Sequence, residues 1–118
     1  MRHSSSAGII ALLLSLVTGE ASAHAMLDRA EPRVGNTVAT APGEVTLWFT
    51  QKLESAFSTI NVTNAAGQRV DSGKTRVSGS QMSVSLRQRG TGTYHVNWRV
   101  LSVDTHTSDG SFTFQVGP

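Results

Sequence analysis

Cysteine is absent from this chain of 118 residues, and aromatic residues are few. Stability must therefore come from an apolar core rather than from disulfides, and a metal site must rely mainly on nitrogen and oxygen ligands. The formal net charge is only +2, and the Lys and Arg residues are scattered along the chain. A nucleic-acid-binding surface needs a basic stripe or a row of stacking aromatics, so the sequence argues against that class of function.

Long apolar runs are also missing. The longest, residues 7–17, is about half of the ~20 residues that a membrane-spanning helix needs. A short basic start precedes it and Ala21-Ser22-Ala23 follows it, which is the small-x-small pattern that a signal peptidase accepts. We therefore expect residues 1–23 to be a cleaved secretory signal. Residues 24–118 then form one small exported domain that begins with His24 and does not insert into the membrane.

The rest of the chain alternates apolar and polar residues with a period of two, as half-buried strands do. The alternating stretches are residues 45–50, 59–63, 82–87, 94–100 and 111–116. Turn-forming residues separate them, and no stretch has a convincing helical period. The pattern predicts an all-β domain, an antiparallel sandwich or barrel with Greek-key connections.

The longest of these runs changes phase near its end. Apolar residues occupy the even positions up to Val100, whereas Leu101 and Val103 carry the apolar signal in the opposite phase. A β-bulge near Leu101 is the usual device for such a shift. Asp104 and His106 would then both point outward and lie side by side on extended backbone, ahead of a turn at residues 107–110.

The amino terminus that cleavage creates adds possible metal ligands to these two side chains. An N-terminal histidine chelates a metal through its amine and its Nδ1, and the imidazole of His106 adds a third nitrogen to those of His24. With the carboxylate of Asp104, the set suits the tetragonal preference of Cu(II), and zinc is the second choice. We expect one Cu(II) per chain, held by His24, Asp104 and His106. Binding requires deprotonated nitrogens, so affinity should fall below neutral pH.

Other potential ligands have simpler interpretations. His95 lies opposite Tyr94 in the alternation and is expected at the surface. Met82 fits a core position on its strand. Met26, two residues after His24, is expected to pack, with a soft contact to the metal as the alternative.

In combination, these residues resemble the CopC family of periplasmic copper-resistance proteins. The resemblance covers essentially all of residues 24–118 and is most specific at the segment 102–106, Ser-Val-Asp-Thr-His, which leads to Gly110-Ser111-Phe112. It implies a seven-stranded Greek-key β-sandwich, immunoglobulin-like and cupredoxin-like. It also implies a periplasmic protein that binds Cu(II) through His24, Asp104 and His106 and works beside a CopD-type inner-membrane partner. We expect a monomer.

The sequence departs from the family pattern in two places. Some members have a methionine-rich loop with a histidine that holds Cu(I), but residues 64–80 contain neither Met nor His. Many members have an acidic residue where Gln51 stands. A Cu(I) site, or an additional carboxylate from position 51, is therefore not expected.

Three function classes follow. The first is a non-enzymatic copper carrier or buffer. The second is a copper oxidase whose histidine brace resembles that of polysaccharide monooxygenases, although residues 24–118 leave little room for their long loops. The third is a metal-free immunoglobulin-like interaction module, which predicts that copper leaves the melting temperature unchanged. We favour the carrier.

Overall fold

The computed structural model describes residues 25–87 and 90–118, so the predicted signal at 1–23 and the predicted ligand His24 lie outside the described residues. Within these ranges the chain forms eight strands and one short 3-10 turn at Ser55–Phe57. The strands are β1 Leu27–Glu31, β2 Thr37–Val38, β3 Glu44–Phe49, β4 Thr59–Thr63, β5 Arg76–Ser78, β6 Gln81–Ser85, β7 Gly92–Leu101 and β8 Thr107–Val116. In this described part, no helix is long and apolar enough to cross a membrane.

The strands form two four-stranded sheets, in the orders β1-β3-β6-β5 and β2-β8-β7-β4, which confirms the all-β prediction. The structure has eight strands where the resemblance implies seven, and the Greek-key order stays a prediction. Antiparallel pairing holds for every neighbouring pair except β2 and β8, which run parallel and align Thr37 with Gln115. The period-two pattern missed β1, β2 and β5, because β2 and β5 have only two and three residues and β1 does not alternate between buried and exposed positions.

The apolar core lies between the sheets, where the alternation predicted it. Met82 is fully buried as expected, and His95 is exposed as expected. Each fully buried large apolar side chain contributes about 1.5–3 kcal/mol, so this core replaces the missing disulfides. The inward residues of the predicted strands are Val45, Leu47, Phe49, Ile60, Val62, Met82, Val84, Leu86, Tyr94, Val96, Val100, Phe112, Phe114 and Val116.

Strands β7 and β8 form the longest hairpin. Their register is continuous from Gly92 opposite Val116 to Leu101 opposite Thr107, so the bulge predicted near Leu101 is wrong. The apolar phase changes there because the strand ends, and Val103, predicted inward, is 51% exposed. Residues 107–110, predicted to be a turn, instead begin β8.

Trp98 packs against the core between the sheets, toward the end of the molecule that carries the loop between β7 and β8. Its ring meets Phe49 edge-on, with centroids 5.0 Å apart and an interplanar angle of 75°. It also covers Gly110 so closely that a Cβ at that position would collide with the indole. Glycine at position 110 therefore lets the indole pack directly against the β8 backbone.

A buried carboxylate fastens the connection between β4 and β5. Asp71 is fully buried and accepts hydrogen bonds from the amides of Val62 and Gly73, each at 2.7 Å. The Arg69 Nε donates to both of its carboxylate oxygens, and the Arg87 Nε donates to its carbonyl at 2.9 Å. Burial raises the pKa of Asp71, but the hydrogen bonds to its carboxylate outweigh burial and hold the pKa below its ordinary value.

Candidate metal centre

The loop between β7 and β8 carries two of the three predicted ligands. Ser102 donates its N–H to the carbonyl of His106 at 2.9 Å, and Thr105 donates its N–H to the carbonyl of Ser102 at 2.9 Å. Thr105 has a φ of 73°, which is uncommon for a β-branched residue and reverses the chain direction. Asp104 and His106 therefore lie on a tight turn rather than on the extended strand that we expected.

Within this turn the two side chains are close together. The Nδ1 of His106 is 3.5 Å from Oδ1 of Asp104, and both side chains are nearly half exposed. The prediction that they lie near each other is confirmed, although a turn brings them together. Their nitrogen and oxygen atoms both suit a divalent transition metal, and their exposure gives a metal ion access from solvent.

Ser102 holds the carboxylate in place. Its hydroxyl donates to Oδ1 of Asp104 and lies 3.2 Å from the carbonyl oxygen of His106. The hydrogen bond from Ser102 is the largest cause that lowers the pKa of Asp104, and His106 lowers it further. Asp104 is thus ionised at neutral pH, as a metal ligand must be.

The start of the described chain is fastened beside this loop. The carbonyl of Ala25, which is 1% exposed, accepts a hydrogen bond at 2.7 Å from the hydroxyl of Ser108, two residues after His106. Met26 exchanges two hydrogen bonds with Thr50, each at 2.9 Å. The residue that directly precedes Ala25 in the sequence is His24.

To hold a metal ion, Asp104 and His106 need at least one further ligand. Among residues 25–87 and 90–118, no three His, Asp or Glu side chains are grouped closely enough to hold a metal ion. The exposed His95 lies within β7, opposite Thr63 and Thr113, away from the loop. Met26 is 57% exposed, so the expectation that it packs is wrong.

Sequence reasoning did not select Ser102 or Ser108. Ser102 occupies a fully buried position where the alternation placed no side chain of interest. Ser108 matters only because β8 begins at Thr107, which sets its hydroxyl against the carbonyl of Ala25. A correct prediction of where β7 ends would have identified both residues, because the register of the β7–β8 hairpin fixes their positions.

Comparison with known proteins shows which family has this fold and the loop between β7 and β8. A family model described as the CopC domain matches residues 27–117. Protein YobA of Escherichia coli (strain K12) is 34% identical over 109 residues, which span 89% of this chain and 88% of that protein. Copper resistance protein C of Xanthomonas campestris pv. juglandis is 32% identical over 117 residues, or 92% of this chain and 91% of that protein.

A solved structure supports the same family assignment. The crystal structure of CopC from Methylosinus trichosporium OB3b superposes with a TM-score of 0.76 at 30% sequence identity, covering 80% of this chain and 95% of that one. Family model, sequence relatives and fold thus agree with the resemblance predicted from the sequence, and this chain belongs to the CopC family.

Proposed function

We propose that this protein is a periplasmic Cu(II)-binding protein that carries or buffers copper. One Cu(II) is held by His24, Asp104 and His106, after removal of residues 1–23 has freed the amine of His24. The observation that carries the proposal is the Asp104–His106 pair, 3.5 Å apart, on a loop beside which the chain start is fastened at Ala25. Relatives named for copper resistance support it.

The chemistry of this donor set explains the choice of metal. Two imidazoles and an amine provide nitrogen ligands, and the carboxylate of Asp104 provides an oxygen and a negative charge. Cu(II) favours tetragonal nitrogen and oxygen ligation and binds most strongly among the divalent metals of its row. Ser102 orients the carboxylate, and loss of such an outer partner typically weakens metal binding 10–100-fold.

Exposure of the pair favours a carrier. The side chains of His106 and Asp104 are 47% and 44% exposed, so a bound ion can pass to another protein without unfolding of the sandwich. A CopD-type inner-membrane protein is the partner that we propose for this exchange, with the carrier acting as a monomer. A carrier of this kind needs no catalytic residue, and we assign none.

The test compares two forms of the exported protein. One begins at His24, and the other carries a single additional residue before His24, which replaces the terminal amine by an amide and leaves all side chains intact. We expect electron paramagnetic resonance to show one nitrogen-rich tetragonal Cu(II) in the first form and much weaker binding in the second. Equal binding by both forms would contradict chelation through the amine.

His95 offers a matched control, because it is an exposed histidine within β7. The variant His95→Ala should bind one Cu(II) with unchanged affinity and spectrum, whereas His106→Ala should lose the tetragonal signal. A loss of binding in both variants would show that the site is assembled from different residues.

A further inference from the structure

Exposed apolar side chains gather at the end of the molecule that carries the proposed copper site. The large apolar residues that are most exposed among the described residues are Met26, Val34, Phe57 and Val103. Three of these four lie near the loop of Asp104 and His106, whereas Val34 lies near the opposite end of β8. Exposed large side chains that cluster on a surface are typical of interaction sites.

Phe57 and Val103 lie on two backbone segments that run side by side. The amide of Val103 donates to the carbonyl of Lys52 at 3.0 Å, and the amide of Glu54 donates to the carbonyl of Leu101 at 2.8 Å. Segment 52–54 therefore runs alongside residues 101–103. Phe57 is tied to this segment by its own amide, which donates to the carbonyl of Glu54 at 3.2 Å.

The backbone hydrogen bonds make this exposure a fixed property of the fold. Phe57 is 66% exposed and Val103 is 51% exposed although both donate their amides within the segment, so neither position is a frayed end. The next residue, Ser58, is buried, and its hydroxyl accepts a hydrogen bond from the amide of Leu101 at 3.2 Å. Two apolar side chains thus project into solvent from hydrogen-bonded backbone, and one of them, Val103, directly precedes Asp104.

We propose that Phe57 and Val103 form the docking contact for a protein that exchanges copper with this chain. The inference rests on the proposed function and names the surface that this function needs. Val103 directly precedes Asp104, so a partner seated on Val103 brings its own copper ligands to the metal site. Its matching surface is an apolar pocket that receives the Phe57 ring.

The size of the contact indicates a transient complex. A fully buried aromatic side chain contributes about 150–250 Å². Phe57 and Val103 together therefore offer a few hundred Å², well below the roughly 800 Å² per partner of a stable complex. A second copy of this chain would need a larger surface for a stable dimer, whereas a protein that takes copper and leaves needs only a small one.

Charge around the contact narrows the partner further. Lys52 and Glu54 pair with Val103 and Leu101, and the ionised Asp104 follows Val103, so the charged residues around the contact are one positive and two negative. A net negative rim gives no attraction for an anionic lipid surface, and it fits a protein with basic side chains around an apolar pocket.

The experiment measures the rate of copper transfer to two acceptors. The donor is the copper-loaded protein beginning at His24, and the acceptors are a detergent-solubilised CopD-type protein and the small chelator EDTA. We expect Phe57→Ser to slow transfer to the protein acceptor about tenfold and Val103→Ser to slow it less, because a few anchors, large aromatic side chains above all, carry most of the binding energy of an interface. Transfer to EDTA and the affinity for Cu(II) should stay unchanged, since EDTA needs no docking.

Val34→Ser is the matched control, because Val34 is 59% exposed and lies away from the copper end. Unchanged transfer to the protein acceptor in Phe57→Ser and Val103→Ser would overturn the docking inference, and so would equal slowing in Val34→Ser. Dimerisation of the native chain that is lost in Phe57→Ser would assign the contact to a second copy and also overturn it. Absence of Cu(II) binding by the native protein would instead contradict the proposed function.

Discussion

Two aspartates with lowered pKa values serve different parts of this molecule. Asp71 is fully buried, and its carboxylate is surrounded by donors from Val62, Gly73 and Arg69. Asp104 is nearly half exposed, and Ser102 is the donor that lowers its pKa most. A low pKa therefore does not by itself identify a metal ligand. Exposure is what distinguishes Asp104, the proposed metal ligand, from Asp71, whose carboxylate is enclosed by donors that hold the chain.

The largest effect should come from Asp71→Asn. The amide would place an NH₂ group against donors that now meet an oxygen, so the free energy of unfolding should fall by about 2–4 kcal/mol. Urea unfolding of the metal-free protein measures this loss. The variant should still bind one Cu(II) at temperatures where it is folded, and a loss of copper affinity in the folded variant would erase the distinction between the two aspartates.

Asp104→Asn should show the opposite behaviour. We expect Cu(II) affinity to fall roughly a hundredfold, because loss of a group that only supports a ligand already weakens metal binding 10–100-fold. The melting temperature of the metal-free protein should stay the same, since the side chain is exposed. Competition titration against a copper chelator gives the affinity, and unchanged affinity would remove Asp104 from the site.

The pH dependence of stability sharpens the comparison. The pKa of Asp71 is lower in the folded chain than in the unfolded chain, where it is about 3.9, so the carboxylate stabilises the fold above that pH. This stabilisation is lost as the pH falls through the folded pKa. Metal-free protein should lose stability below about pH 4, with a shallower decline in Asp71→Asn, as measured by urea unfolding between pH 3 and 6. Parallel declines would show that other groups cause the loss.

The smallest effect should come from Ser102→Ala. Loss of the hydroxyl releases the carboxylate of Asp104 from its fixed orientation, and Cu(II) affinity should fall about tenfold while the nitrogen-rich spectrum persists. Ser111→Ala, at an exposed position on β8, is the control and should bind copper normally. Equal affinity in both variants would mean that the loop backbone alone orients Asp104.

The alternation of residue types predicted five of the eight described strands, because a strand turns successive side chains to opposite faces. It predicted the proximity of Asp104 and His106 for a partly mistaken reason. Asp104 and His106 approach each other on a turn closed by Ser102, and the phase change at Leu101 marks a strand end rather than a bulge. The local residue pattern does not distinguish a strand end from a β-bulge, because the difference depends on hydrogen bonds with the neighbouring strand.

Other features depend on residues that are distant in sequence. Asp71 meets the amide of Val62 only because the chain folds back over β4, so no spacing rule identifies it as a buried structural carboxylate. Met26 was expected to pack, but its main chain pairs with Thr50 and leaves its side chain in solvent. Strand pairing determines both the burial of Asp71 and the exposure of Met26, and the periodicity of the sequence does not reveal which strands pair.

The unbroken register of β7 and β8 has a consequence for dynamics. Pairing continues to Leu101 and Thr107, the last residues before the loop, so the slowest-exchanging amides of the molecule should extend to the edge of the site. Hydrogen exchange should therefore show a sharp boundary there. If copper binds as proposed, we expect the motions that admit and release it to involve a few loop residues on a fast timescale, while the sandwich beneath them stays closed.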